Sequence, residues 1–275
     1  MECRLKNMSV NYEVRGEGRP ILLIHGYSPD HRMMEGCMEP IFLEVDGWKR
    51  IYIDLPGMGR TRAPEWLRNA DQMLDIVLEF ASSVIGGRSF ALAGESYGGY
   101  LSRGIVCRRP ELVDGMLLIC PCIIPDASKR SLPPKTLLVR NEESMAGLSE
   151  KDLEAFNEMA VVQSQRHWER FRDEIMPGLE LADEEFLNRF QRDGYAFSFD
   201  TDRLQEPFAK PSLILTGRQD AAVGYRDAFS IIENYPRASF AALDMAGHNV
   251  QIEQETLFSA LVKEWLQRLL HAPGE

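Results

Sequence analysis

Six short apolar runs, each ending on or just before Gly, Pro or Asp, punctuate the two ends of the chain at 21–25, 50–54, 90–93, 116–120, 212–216 and 240–243. A strand with one wet face alternates apolar and polar residues. These runs do not alternate, so they predict strands covered on both faces, the pattern of a parallel sheet. Between them the spacing turns helical, over 69–85 (Met73, Leu74, Val77, Leu78, Ala81), 97–108, and 251–270 (Leu257, Leu261, Trp265, Leu269). Strand and helix in alternation predict an α/β layered domain, a mostly parallel sheet with helices on both faces. The opening differs: residues 9–14 alternate and run into Gly16-Glu17-Gly18, predicting an antiparallel entry to the sheet.

From 123 to 206 the strand-like runs disappear. Pro125, Pro133 and Pro134 break the start, and amphipathic helical patterns follow. Ser149 is positioned to cap a helix over 150–162, and Asp183 and Gly194 to start and stop one over 184–193. The expected organisation is a core made of 1–122 and 207–275, with 123–206 as an all-helical insertion. Fifteen acids against six bases between Asn141 and Asp200 leave this stretch at −9, most of the chain's net charge of −11. Solvated helix faces are the expected reading of that charge. The sign argues against nucleic acid and anionic membrane as partners and leaves a small molecule. Five scattered cysteines suggest buried, reduced thiols. With charges interspersed through the first residues and no apolar stretch of membrane-spanning length, a soluble cytoplasmic protein is expected. The oligomeric state is left open.

Gly94-Glu95-Ser96-Tyr97-Gly98 joins the apolar run ending at Ala93 to the helix that follows. A turn directly from strand into helix strains the serine backbone and requires glycine two residues before and after it. It also projects the hydroxyl over the carboxyl edge of the sheet. A serine needs a base, and the base an orienting carboxylate. His248, in Ala246-Gly247-His248-Asn249 beyond the last strand run, is placed to be the base. Asp220, after the penultimate run, is the favoured acid, and Asp126 on another loop is its competitor. His31, His167 and His271 are expected on the surface, and His25 in a turn-stabilising role. Backbone N–H groups of Tyr27 and Tyr97 are candidates for an oxyanion hole, with both side chains as candidate substrate contacts.

His25-Gly26-Tyr27, the turn Asp54-Leu55-Pro56-Gly57-Met58-Gly59-Arg60-Thr61, Gly94-Glu95-Ser96-Tyr97-Gly98-Gly99, Gly217-Arg218-Gln219-Asp220 and Gly247-His248-Asn249 follow one another in the order of the α/β-hydrolase superfamily. The chain resembles its serine members with a helical cap between the sixth and seventh strands. Met58 stands where many relatives have His, and Arg60-Thr61-Arg62 departs where Ser is frequent. The resemblance implies hydrolysis of an ester or related acyl bond, by Ser96, His248 and Asp220, with neither metal nor organic cofactor. Alternatives are a carbon–carbon bond hydrolase using the same triad, and a slow or non-catalytic ligand receptor on the same scaffold. Epoxide and haloalkane chemistry is disfavoured because those relatives use Asp where Ser96 stands. Phe156, Trp168, Phe186, Phe190, Tyr195 and Phe197 are expected mostly to pack the insertion.

Overall fold

The computed structural model describes residues 1–271. Its eight-stranded sheet is made of β1 (Glu2–Arg4), β2 (Ser9–Arg15), β3 (Arg19–Ile24), β4 (Trp48–Ile53), β5 (Phe90–Glu95), β6 (Val113–Ile119), β9 (Ser212–Gly217) and β10 (Ala238–Leu243). A separate short pair, β7 (Val139–Arg140) and β8 (Val162–Gln163), lies between β6 and β9 in the chain. In the large sheet the spatial order is β1-β2-β4-β3-β5-β6-β9-β10, with antiparallel pairing at β1–β2 and β2–β4 and parallel pairing from β4 onward. This is the mostly parallel sheet that the uninterrupted apolar runs predict, with the antiparallel entry at its edge. Leu23 pairs with Ala93 and Ala93 with Leu117, so β3, β5 and β6 end nearly flush. Their loops consequently open onto the same carboxyl edge.

Helices close both faces. The helix α1 (His31–Phe42) follows β3, α2 (Ala70–Ile85) follows β4, and α3 (Tyr97–Arg108) leaves β5 directly. Asn69 accepts from the Gln72 N–H to start α2, and Gly86 at φ +75° ends it. Close packing of α3 on the sheet rests on its glycines: a Cβ on Gly98 would lie 2.2 Å from the Ile24 carbonyl. The insertion between β6 and β9 carries α4 (Glu142–Met145), α5 (Glu150–Met159), α6 (Gln165–Glu174), α7 (Met176–Leu181) and α8 (Glu184–Asp193). After β9 come α9 (Tyr225–Ser230), α10 (Val250–Glu253) and α11 (Glu255–Leu270).

The main core runs through the sheet and its flanking helices and extends to Phe186, Phe190 and Phe197. A second, smaller core gathers Phe156, Trp168 and Phe171 of the insertion around Met33 of α1 and Ile252 of α10. All six aromatics named in the sequence are buried or partly buried in these clusters, as packing requires.

Several expectations are corrected. The helix over 251–270 is broken at Gln254 into α10 and α11. The buried stripe of α11 is Phe258, Val262, Trp265, Leu266 and Leu269, whereas Leu257 is exposed. The helix over 150–162 stops at Met159, and the 123–206 stretch is not all-helical, because Val162 pairs with Val139 in the short β7–β8 ladder. Cys3 and Cys107 are only partly buried, while Cys37, Cys120 and Cys122 are buried; all five are free thiols. Among the described residues no helix is long and apolar enough to cross a membrane.

Candidate active site

Ser96 sits between the last residue of β5 and the first of α3 with φ +49° and ψ −111°. That region is disfavoured for a residue with a Cβ. Its backbone holds the turn in place: Ser96 N–H donates to the Ile119 carbonyl at 2.9 Å, and its own carbonyl accepts from Cys122 N–H at 3.0 Å and Tyr100 N–H at 3.1 Å. The two flanking glycines are required by contact rather than by φ. A Cβ on Gly94 would meet the Gly98 carbonyl at 2.3 Å.

His248, in the loop between β10 and α10, brings its ring over this turn. Nε2 accepts from the Ser96 hydroxyl at 3.0 Å and Nδ1–H donates to Asp220 Oδ2 at 3.0 Å. Asp220 is fully buried after β9, and its other oxygen accepts from Ala222 N–H at 2.8 Å and Val223 N–H at 3.1 Å. Burial alone would raise the Asp220 carboxyl, but the His248 charge and hydrogen bonds outweigh it and hold it below its usual range. Asp126, the competing acid, is exposed and engaged by Ser128 and Lys129.

Tyr97 opens α3, where the first backbone N–H groups have no partner within the helix. Tyr27 follows β3, and its ring meets that of Tyr97 edge-on at 5.3 Å. Tyr195 of the insertion packs on Tyr97 at 4.6 Å, and the Tyr27 hydroxyl donates to the Leu187 carbonyl at 2.7 Å. The tyrosine rings are therefore where the insertion meets the serine turn. A cavity of about 290 Å³ reaches His248 from outside, walled by Lys135, Met159, Val161, Gln219 and Ala222.

The other histidines divide. His25 is buried in a fixed tautomer, Nδ1–H donating to the Gly26 carbonyl at 2.7 Å and Nε2 accepting from Leu55 N–H at 3.0 Å, a turn-stabilising arrangement. His31 is not on the surface: it is buried with Nδ1 2.7 Å from Asp54, and the nearby acids raise its pKa against the opposing effect of burial. Sequence reading misses this because Asp54 is remote in the chain. His167 is half-buried against Ser164, and His271 is exposed. Met58, the departure in the Asp54 turn, is buried, and its sulfur accepts from Ser28 N–H at 3.4 Å. Two groups among the described residues bring ligand-type atoms within 4.8 Å of one another, Cys120 with Asp220 and His248, and Asp30 with His31 and Asp54. The hydrogen bonds above already engage both histidines and the Asp220 and Asp54 carboxylates.

Two further buried carboxyls lie near His248. Glu253 of α10 accepts from Gly247 N–H at 2.6 Å with one oxygen, and from Val161 N–H at 2.6 Å and Val162 N–H at 3.0 Å with the other. Glu95, one residue before Ser96, lies 3.3 Å from His248 Nε2. Its only signal in the sequence is an acid inside an otherwise apolar strand end.

A parallel sheet whose central strand turns sharply into a helix at a serine, faced by a loop histidine, defines an α/β hydrolase. The chain belongs to the alpha/beta hydrolase family, whose model matches residues 21–261. It is similar to a pimeloyl-[acyl-carrier protein] methyl ester esterase of Aeromonas salmonicida, 24% identical over 262 residues that cover 93% of this chain and 98% of the relative. A 2-hydroxymuconate semialdehyde hydrolase of Pseudomonas putida is 24% identical over 271 residues, 93% of this chain and 90% of its own. Among solved structures, an alpha/beta superfamily hydrolase from Oenococcus oeni PSU-1 superposes with a TM-score of 0.88 at 29% identity, covering 98% of this chain and 99% of that one.

Proposed function

We propose that this protein is a serine hydrolase that cleaves an ester or related acyl bond of a small, largely apolar substrate through an acyl-enzyme. The observation that carries the reading is one imidazole hydrogen-bonded at both nitrogens, to Ser96 and to Asp220, at 3.0 Å each. Asp220 fixes the tautomer with its proton on Nδ1, leaving the Nε2 lone pair toward the hydroxyl. Ser96 Oγ attacks the acyl carbon as its proton passes to Nε2. The oxyanion is held by the N–H groups of Tyr27 and Tyr97, and the alcohol leaves with the Nε2 proton. Water, deprotonated by the same nitrogen, then releases the acid and restores Ser96. These steps consume only substrate and water.

Residues 123–206 act as a cap over a core of 1–122 and 207–275, with the Tyr27 and Tyr97 side chains bordering the acyl site. Five free thiols suit a reducing, cytoplasmic setting. Relatives named for ester hydrolysis support the ester reading, and a relative named as a 2-hydroxymuconate semialdehyde hydrolase, whose named substrate is not an ester, leaves carbon–carbon cleavage by the same triad as the second reading. Short p-nitrophenyl esters and a vinylogous diketone, assayed with wild type and Ser96→Ala, separate the possibilities. Ester turnover that drops at least about 10³-fold in the variant is expected. Diketone cleavage without ester cleavage selects the second reading, and equal rates for both proteins reject a serine hydrolase.

A further inference from the structure

Glu95 ends β5 and is only 1% exposed, and neither carboxyl oxygen has a hydrogen-bond partner. An acid this deep is costly to keep charged without a partner, and it calls for a physical reason. Its surroundings are specific. One oxygen lies 3.3 Å from His248 Nε2, the same nitrogen that faces the Ser96 hydroxyl. The other occupies space left open by Gly26, where a Cβ would come within 2.0 Å of it. The titratable groups whose charges interact with it are His248, Asp220 after β9, the Cys37 thiol of α1 and the Cys120 thiol just past β6. Of these four only His248 can become a cation.

We propose that Glu95 is a positioning residue: a second carboxyl, opposite Asp220, which shares a proton with the Nε2 edge of His248 and thereby sets the pH range in which that nitrogen can accept the Ser96 proton. The inference rests on the serine-hydrolase reading above. With the proton on Glu95, the imidazole is neutral and its Nε2 lone pair is free for the hydroxyl. When the proton crosses the 3.3 Å gap to Nε2, an imidazolium lies between two carboxylates and is no longer a base. The proton changes hands and no other bond is made or broken. Burial holds the Glu95 carboxyl above its usual range. The His248 ring, which burial and the Arg130 charge would lower, is raised instead by the charges of Asp220 and Glu95. The His248 charge opposes the rise on Glu95 while the Glu95 charge adds to the rise on His248, as expected of an acid and a base in contact.

The test follows the His248 ring by NMR across pH in wild type and in Glu95→Gln, alongside the pH dependence of inactivation by a fluorophosphonate. The wild-type ring is expected to titrate in two steps, as one of a pair of coupled groups. In Glu95→Gln the midpoint should fall by at least about one pH unit, and the acid limb of inactivation should move down with it while the high-pH plateau changes little. A single wild-type transition near the ordinary histidine value of about 6.5 overturns the proposal without need of any variant. So does a midpoint that stays in place while Glu95→Gln slows inactivation uniformly, the signature of a purely structural side chain. No inactivation of wild type at any pH undoes the Ser96 reading instead, and the NMR titration still decides on Glu95.

Discussion

At Ser96 the backbone is held in a disfavoured conformation by three main-chain hydrogen bonds and by glycines on either side, so the hydroxyl's direction is fixed before any substrate arrives. The imidazole is oriented in the same way, through an acid that is itself clamped by the Ala222 and Val223 amides. Asp220→Asn should therefore leave the fold intact and lower kcat on the order of 10⁴-fold, because the amide favours the wrong imidazole tautomer. Asp126→Asn, changing an exposed side chain paired with Lys129, should leave kcat within about two-fold, since exposed pairs contribute little. Steady-state kinetics on both variants checks the assignment, and a collapse confined to Asp126→Asn would reverse it. Ser96, His248 and Asp220 were legible in the sequence because each closes or follows an apolar run whose end must lie at the sheet edge. Glu95 and His31 were not. Their environments come from Gly26, His248 and Asp54, and no local spacing encodes such partners.

The same contrast appears among the elements. Parallel strands announce themselves through runs buried on both faces, but α1 contains Gly36 and Pro40, and its formation depends on packing rather than propensity. Four non-glycine residues among those described have positive φ: Ser28, Ser96, Cys120 and Met245. Each follows the carboxyl end of a parallel strand, which concentrates backbone strain on the rim that bears the site. The Glu253 carboxylate joins two parts of that rim, tying β8 of the insertion to the His248 loop through three amides. In Glu253→Gln the amide's NH₂ would face either Gly247 N–H or the Val161 and Val162 pair, leaving buried donors unsatisfied at about 1–3 kcal/mol. Thermal denaturation should show that loss. It should also show a change in pH response, because burial raises the wild-type Glu253 pKa to about 7. The stability linked to its protonated form is present below the unfolded value, about 4.3, and is lost as pH rises through about 7. Wild-type Tm should thus decline across that window more steeply than the variant's. Parallel curves would show that Glu253 does not titrate there.

At the scale of the molecule, the insertion that meets the serine turn through Tyr195 also carries most of the negative charge, −9 between Asn141 and Asp200. Its bases are largely committed: Arg170 pairs with Glu174, Arg172 with Asp173 and Arg192 with Asp193. The cavity wall beside His248 includes one exposed base, Lys135, and one exposed acid, Glu158, so the lip itself is close to neutral. An approaching substrate should therefore meet mainly the charge of the wider insertion, whose negative sign predicts repulsion of anions. Such a field acts over a Debye length, about 30 Å at 0.01 M salt and about 10 Å at 0.1 M, so salt should relieve the repulsion. For an ester whose acyl chain ends in a carboxylate, kcat/KM should rise several-fold between those two salt concentrations, while a neutral ester of equal length stays level. The gain should appear in KM rather than kcat, because screening changes arrival and not the chemical step. A decrease with salt for the anionic ester would mean that Lys135 dominates the approach, and Lys135→Ala should then abolish the dependence.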